Sequence, residues 1–223
     1  VWLIPQAFRF ARPTSEGDWP WRRFPHPEEE RIMVYKGLGK GAKGVLYYTF
    51  YSVIHNENGS VEGLNSHNPD CLELRRGIAR MSAELHALGE YLALGDNMTH
   101  LWNMWTRTGL VEGELLLAGS EALIAVLVSR NYFSGEYRFK IKPVEDIEVR
   151  VAVPEWMPVA DVFILTPYEA QDVEYRQKGF ERVFGKLYDF KIPRLDSAAF
   201  LVISGRDGLR EDVEKKLKIW MRH

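Results

Sequence analysis

The stretch Lys43-Gly44-Val45-Leu46-Tyr47-Tyr48-Thr49-Phe50-Tyr51 decides how the first half of the chain is read. β-Branched and aromatic residues crowd it and no charge follows Lys43, which is the pattern of a buried strand. Upstream, Val1-Trp2-Leu3-Ile4-Pro5-Gln6 reads as a second, shorter buried strand, with Pro5 loosening the pairing near its end. Between the two, a helix is predicted from Pro27. Proline suits the first helical position, and Glu28, Glu29 and Glu30 sit at the positive end of the helix dipole. Ile32, Met33, Tyr35 and Leu38 give it an apolar face, and Gly37, Gly39 and Gly41 stop it. Downstream, residues 70–92 form the clearest predicted helix. Asp70 and Glu73 make a capping-box pattern, and Leu74, Ile78, Met81, Leu85, Leu88 and Leu92 form one apolar stripe ending before Gly95. Residues 1–95 therefore run strand, helix, strand, helix, the order of a parallel sheet covered by helices. Two parallel strands do not stand alone, so the segment is expected to belong to a larger sheet. Val1 opens directly on an apolar strand with no leader before it, which reads as a chain cut inside a domain.

The pattern changes near residue 96. Short extended runs follow at 98–106, 111–118, 122–131, 136–143, 145–153, 159–166, 172–178, 181–192 and 198–204, with turn signals between them. Ile147, Val149, Val151 and Val153 face one way while Glu148 and Arg150 face the other, which predicts an antiparallel β-sandwich. A last helix over 209–221 carries Leu209, Val213, Leu217 and Trp220 on one face. Two domains are expected, residues 1–95 and residues 96–223.

Composition excludes several classes. The 223 residues carry a formal net charge of -2, so neither a nucleic-acid groove nor a polybasic membrane patch is indicated. No apolar run approaches the ~20 residues of a membrane span. A lone cysteine, Cys71, leaves no internal disulfide and no multi-cysteine metal site. Aromatic residues make up 13% of the chain. Their flat faces suit the C–H faces of sugar rings, and equally suit a large core.

Candidate chemistry is sparse. Gly39-Lys40-Gly41-Ala42-Lys43-Gly44 matches G-x-G-x-x-G, but a helix precedes it and a strand follows, the reverse of a phosphate-binding turn. No dinucleotide or other cofactor is therefore expected. Glu28, Glu29 and Glu30 read as a solvated first turn rather than an acid–base pair. His55 and His67 share a loop without the spacing or number of ligands a metal needs, so no metal site is expected. The loops 7–26 and 52–69 carry more promise. Both follow strands, and in a closed α/β barrel such loops line the active-site face. The first holds Phe8, Arg12, Trp19, Trp21, Arg22 and Arg23, which either meet a sugar or fold the loop over the sandwich. Gln6, at the end of the first strand, can donate and accept hydrogen bonds but cannot act as acid, base or nucleophile. On the second strand, either Tyr48 and Phe50 or Tyr47, Thr49 and Tyr51 face inward, and the period of two leaves that parity open.

Arg12-Pro13, Pro27 through Tyr35 (Pro-Glu-Glu-Glu-Arg-Ile-Met-Val-Tyr) and Gly41 through Phe50 (Gly-Ala-Lys-Gly-Val-Leu-Tyr-Tyr-Thr-Phe) together resemble the last third of the barrel in uncharacterised glycoside-hydrolase-like proteins. The helix ending Ala83-Glu84-Leu85-His86-Ala87-Leu88-Gly89 is similar to their last barrel helix. The resemblance implies an α/β plus all-β fold: the last two βα units of a (β/α)8 barrel, then an antiparallel β-sandwich and a short C-terminal helix. It implies a carbohydrate substrate, floored and rimmed here by Gln6, Trp19, Trp21, Tyr48 and Phe50. It also implies a missing N-terminal barrel portion as partner, and leaves room for a homo-oligomer. Many retaining glycosidases of this fold place one carboxylate after strand four and another at strand seven. The first would lie outside this chain, and Gln6 stands at the second, so no catalytic residue is assigned and the chain need not be an enzyme by itself. The competing reading is a non-catalytic carbohydrate-binding or structural sandwich, with Trp102, Trp105 and Trp156 as platforms.

Overall fold

A computed structural model describes residues 1–12, 20–56, 59–99, 104–183 and 185–221. Trp19 and Trp102 lie outside the described residues. The chain begins with β1 (Trp2–Leu3) and β2 (Arg9–Ala11), then α1 (Pro27–Gly39) and β3 (Gly44–Val45). Next come β4 (Val53–Asn56), β5 (Gly59–Glu62), α2 (Pro69–Ala87), α3 (Gly89–Leu94) and β6 (Gly95–Asn97). β7 (Met104–Thr106), β8 (Val111–Ala118), β9 (Ala122–Ser129), β10 (Tyr132–Ser134) and β11 (Phe139–Ile141) follow. The last elements are β12 (Val144–Val153), β13 (Asp161–Leu165), β14 (Ala170–Asp172), β15 (Glu174–Glu181), β16 (Gly185–Leu195), β17 (Ala198–Ser204) and α4 (Leu209–Trp220).

The second half is a mixed arrangement with two antiparallel sheets face to face and a C-terminal helix. A six-stranded sheet runs β14-β13-β17-β9-β8-β6, and a four-stranded sheet runs β15-β16-β12-β7. Alternation explains the pairing. Ile147, Val149, Val151 and Val153 point from β12 into the gap, where they meet Leu123, Leu127 and Leu201 of the facing sheet and Phe190 of β16. The central strand β9 is buried along its whole length, because both faces of its sheet are covered. The second cover is helical. Ile32, Tyr35 and Leu38 of α1, Met81 of α2 and Leu209, Val213 and Leu217 of α4 pack on Ile124, Val126, Phe163, Phe200 and Val202. Tyr35 stacks on Phe200 with centroids 4.2 Å apart, an aromatic pair of the kind that adds about 0.5–1.5 kcal/mol beyond area burial. Helices, six-stranded sheet and four-stranded sheet thus form three layers.

Buried polar groups pin the helices to that sheet. Arg31 reaches both carboxylate oxygens of Glu84, and its Nε donates to the Ala198 carbonyl at 2.9 Å. The Tyr35 hydroxyl donates to the same carboxylate. α1, α2 and β17 meet at this one knot, and Glu84 is wholly buried.

The first half departs from its sequence pattern in four ways. β1 and β3 pair in parallel, Trp2 with Gly44 and Leu3 with Val45, and the ladder reaches the bridge between Gln6 and Tyr48. They are covered on one face only: Leu3, Val45 and Tyr47 pack toward the helices, while Trp2 is 70% and Leu46 57% exposed. The predicted burial on both faces fails because no element among the described residues covers the second face. The loops 7–26 and 52–69 are not wholly irregular, since β2, β5 and β4 form a three-stranded antiparallel sheet. The predicted helix 70–92 is two helices, α2 and α3, that part at Leu88. Its cap is Asn68, whose side chain accepts from the Asp70 amide at 2.9 Å, with Pro69 in the first helical position. An amide oxygen two residues upstream satisfies that amide directly, so Asp70 is left inside the first turn.

Candidate functional site

Parity along the second strand follows from packing. Tyr47 turns toward the helices and Tyr48 toward the open side, because the helices bury only alternate residues of a strand. Trp2, Ile4, Gln6, Leu46 and Tyr48 therefore share one exposed face. Gln6 and Tyr48 stand side by side on it, joined by the Ala7 amide donating to the Tyr48 carbonyl at 2.6 Å. The Gln6 side-chain nitrogen donates to the Phe8 carbonyl at 3.1 Å. Phe8 sets its edge against Tyr48 at 5.8 Å. The Tyr48–Thr49 peptide is cis.

Beyond Tyr48 the chain wraps around Gly63. A Cβ on Gly63 would lie 2.6 Å from the carbonyls of Phe50 and Tyr51 and 2.7 Å from that of Thr49. The amides of Leu64 and Asn65 bond the Thr49 and Phe50 carbonyls. Backbone contact at this spot holds Phe50 outward, 55% exposed, edge-to-face with Tyr51 at 5.3 Å. Three of the sequence candidates, Gln6, Tyr48 and Phe50, thus crowd the carboxyl end of the parallel pair.

Trp21 lies elsewhere, on the small sheet, bridged to Ala11. The Arg9 guanidinium covers its ring at 4.8 Å and is itself bonded to Glu62. Arg22 pairs with Glu136 at 2.6 Å and sits over the Tyr137 ring at 4.9 Å. Arg23 donates to the Gly135 carbonyl at 3.0 Å and to Glu29 at 2.6 Å. Burial alone would raise the Glu29 pKa, yet bonds from Arg23 and Ser134 outweigh it and hold the carboxyl below its ordinary value. Arg22 and Arg23 are thus spent in tying the first loop to the turn between β10 and β11. A small cavity of about 210 Å³ remains there, with Gln6, Phe10 and Met33 in its wall.

Glu28, Glu29 and Glu30 do not form a solvated turn. A helix turns about 100° per residue, so three successive side chains cannot share one face. Glu28 accepts from Ser197, Glu29 holds Arg23, and Glu30 is fully buried with neither oxygen bonded among the described residues. The buried Tyr47 hydroxyl also has no hydrogen-bond partner among the described residues, and its pKa is raised by burial and by the nearby Glu30. The sequence held no signal for this pair, because nothing in a Glu-Glu-Glu run marks which residue turns inward. On the sandwich, Trp105 lies under Arg150 at 5.4 Å, while Trp156 is exposed beside a groove that also holds Phe180 and Arg182. His67 is exposed, and the His55 side chain lies outside the described residues.

No protein-family model matches the chain, and a search of curated proteins gives no match. Among solved structures, a cycloisomaltooligosaccharide glucanotransferase of Paenibacillus sp., complexed with cycloisomaltoheptaose, resembles it with a TM-score of 0.45 and 12% identity. The alignment covers 83% of this chain and 28% of that one, so the chain spans little more than a quarter of the larger protein's length.

Proposed function

We propose that the chain is the C-terminal portion of a carbohydrate-active (β/α)8-barrel enzyme. Residues 1–95 would supply the last two βα units, and residues 96–223 an accessory sandwich. One observation carries the reading: a parallel strand pair clad by helices on one face and bare on the other, with Gln6, Tyr48 and Phe50 gathered at its carboxyl end. Barrel enzymes place their sites at that end. A bare apolar sheet face with two free edges calls for further strands to close it. The face offers an amide and aromatic rings but no acid, so the two carboxylates of glycosidic chemistry would come from strands outside residues 1–223. In that assignment Gln6 hydrogen-bonds a sugar hydroxyl and Tyr48 and Phe50 floor the ring, while Trp21 stays on the small sheet under Arg9.

Titration of the chain with cycloisomaltoheptaose and linear neutral glucose oligosaccharides, followed by amide chemical shifts, tests this. Shifts at Gln6, Tyr48 and Phe50, weakened about tenfold by Tyr48→Ala (~1.4 kcal/mol), are expected. Silence at those residues overturns the floor.

A further inference from the structure

We infer a second binding site for neutral oligosaccharides in the trough between the amino ends of α1 and α2 and the six-stranded sheet. Two open cavities, of about 430 and 530 Å³, share Glu28, Arg31, Pro167 and Tyr168 in their walls and so run together. Each falls within the roughly 300–1,000 Å³ usual for small-ligand sites. Neither has a residue in common with the cavity beside Gln6. The first turn of α1 is the wedge between them, with Glu29 on one side and Glu28 on the other.

The walls select the ligand. On the helical side, Arg76 and Arg80 stand among Glu28 and Glu73. On the sheet side, Arg194 pairs with Asp196 at 2.7 Å. Arg31, at the junction, is already neutralised by Glu84. Neither sign dominates, so the trough has no field to draw in a phosphate or a polyanion. Interleaved donors and acceptors instead match a molecule whose hydroxyls both give and take hydrogen bonds. Glu73 and Arg76 form no hydrogen bond or ion pair among the described residues, which leaves both available. The aromatic element is Tyr168, 65% exposed at the junction. Arg80 holds it, with the guanidinium 5.6 Å from the ring and a 3.4 Å bond to the hydroxyl. A ring fixed in this way offers its free face to the C–H face of a pyranose at small entropic cost.

The ligand class rests on the carbohydrate reading above, whereas the site does not share its residues. The same titration therefore separates the two. Shifts at Tyr168, Arg80 and Ser197, reduced at least tenfold by Tyr168→Ala and untouched by Tyr48→Ala, are expected. Tyr168 lies on an exposed turn, so its removal leaves the fold intact, and circular dichroism checks that. Shifts confined to Gln6 and Tyr48 overturn the trough and leave the floor standing. Shifts confined to the trough uphold it and dismiss the floor. Inorganic phosphate shifting Arg76 and Arg80 while oligosaccharides do not would also overturn the proposal.

Discussion

Glu30 of α1 lies near Tyr47, with both carboxylate oxygens and the Tyr47 hydroxyl buried and unbonded by the described residues. Burial first, and the charge of Glu29 second, push its pKa from 4.5 up to about 8. The folded chain thus holds the proton more tightly than the unfolded one. The stabilisation from that proton is complete below about pH 4.5, drains away as pH rises, and is gone above about pH 8. Its slope in that window is at most about 1.4 kcal/mol per pH unit. Glu30→Gln keeps the shape and removes the titration. Urea unfolding from pH 5 to pH 8 should show the wild type losing stability relative to Glu30→Gln. Parallel curves would mean that Glu30 is charged in the fold. At this scale the sequence was least informative. The same three glutamates that mark a helix start also look solvated, and only the folded chain, which brings Tyr47 near it, decides that Glu30 turns inward.

The elements were legible where a local period set them. β8, β17 and α4 lie within a residue of their expected spans, because alternating or helical apolar stripes fix both face and length. Where a distant partner sets the structure, the pattern was silent. β2 pairs with β5 across some fifty residues, Arg9 opposite Glu62, in a run too short to show a period. The knot of Arg31, Tyr35, Glu84 and Ala198 is equally non-local and gives the helices their seat. A buried pair costs a large desolvation, so removing one partner should cost more than removing both. Arg31→Met alone leaves Glu84 charged and stranded, with an expected loss of about 3–5 kcal/mol. Replacing the set together, Arg31→Met with Tyr35→Phe and Glu84→Leu, should recover more than half of that in chemical denaturation. Equal losses would show that the pair stabilises the fold outright and does more than orient α1 and α2.

For the whole molecule, the decisive feature is the bare side of the parallel pair. Trp2, Ile4, Leu46 and Tyr48 stand 70%, 59%, 57% and 60% exposed, and Phe50 and Tyr51 extend the patch. Soluble monomers seldom leave such a patch uncovered, and the free edges of β1 and β3 beside it can accept further strands. Strand and helix signals alternate before residue 96, and a run of strands closed by α4 follows. What the sequence hid is how much the parallel pair leans on the sandwich: α1 reaches β9 and β17 through Tyr35 and Leu38, so the helices keep their seat even with one sheet face open. That arrangement makes a clear prediction. The chain should unfold cooperatively through its three-layer core yet bind an apolar dye and self-associate as its concentration rises. Trp2→Thr with Leu46→Thr should lower dye fluorescence and light scattering while leaving Tm nearly unchanged, since both side chains are outside the core. A chain that stays monomeric at high micromolar concentration and binds no dye would remove the reason for placing this sheet in a barrel.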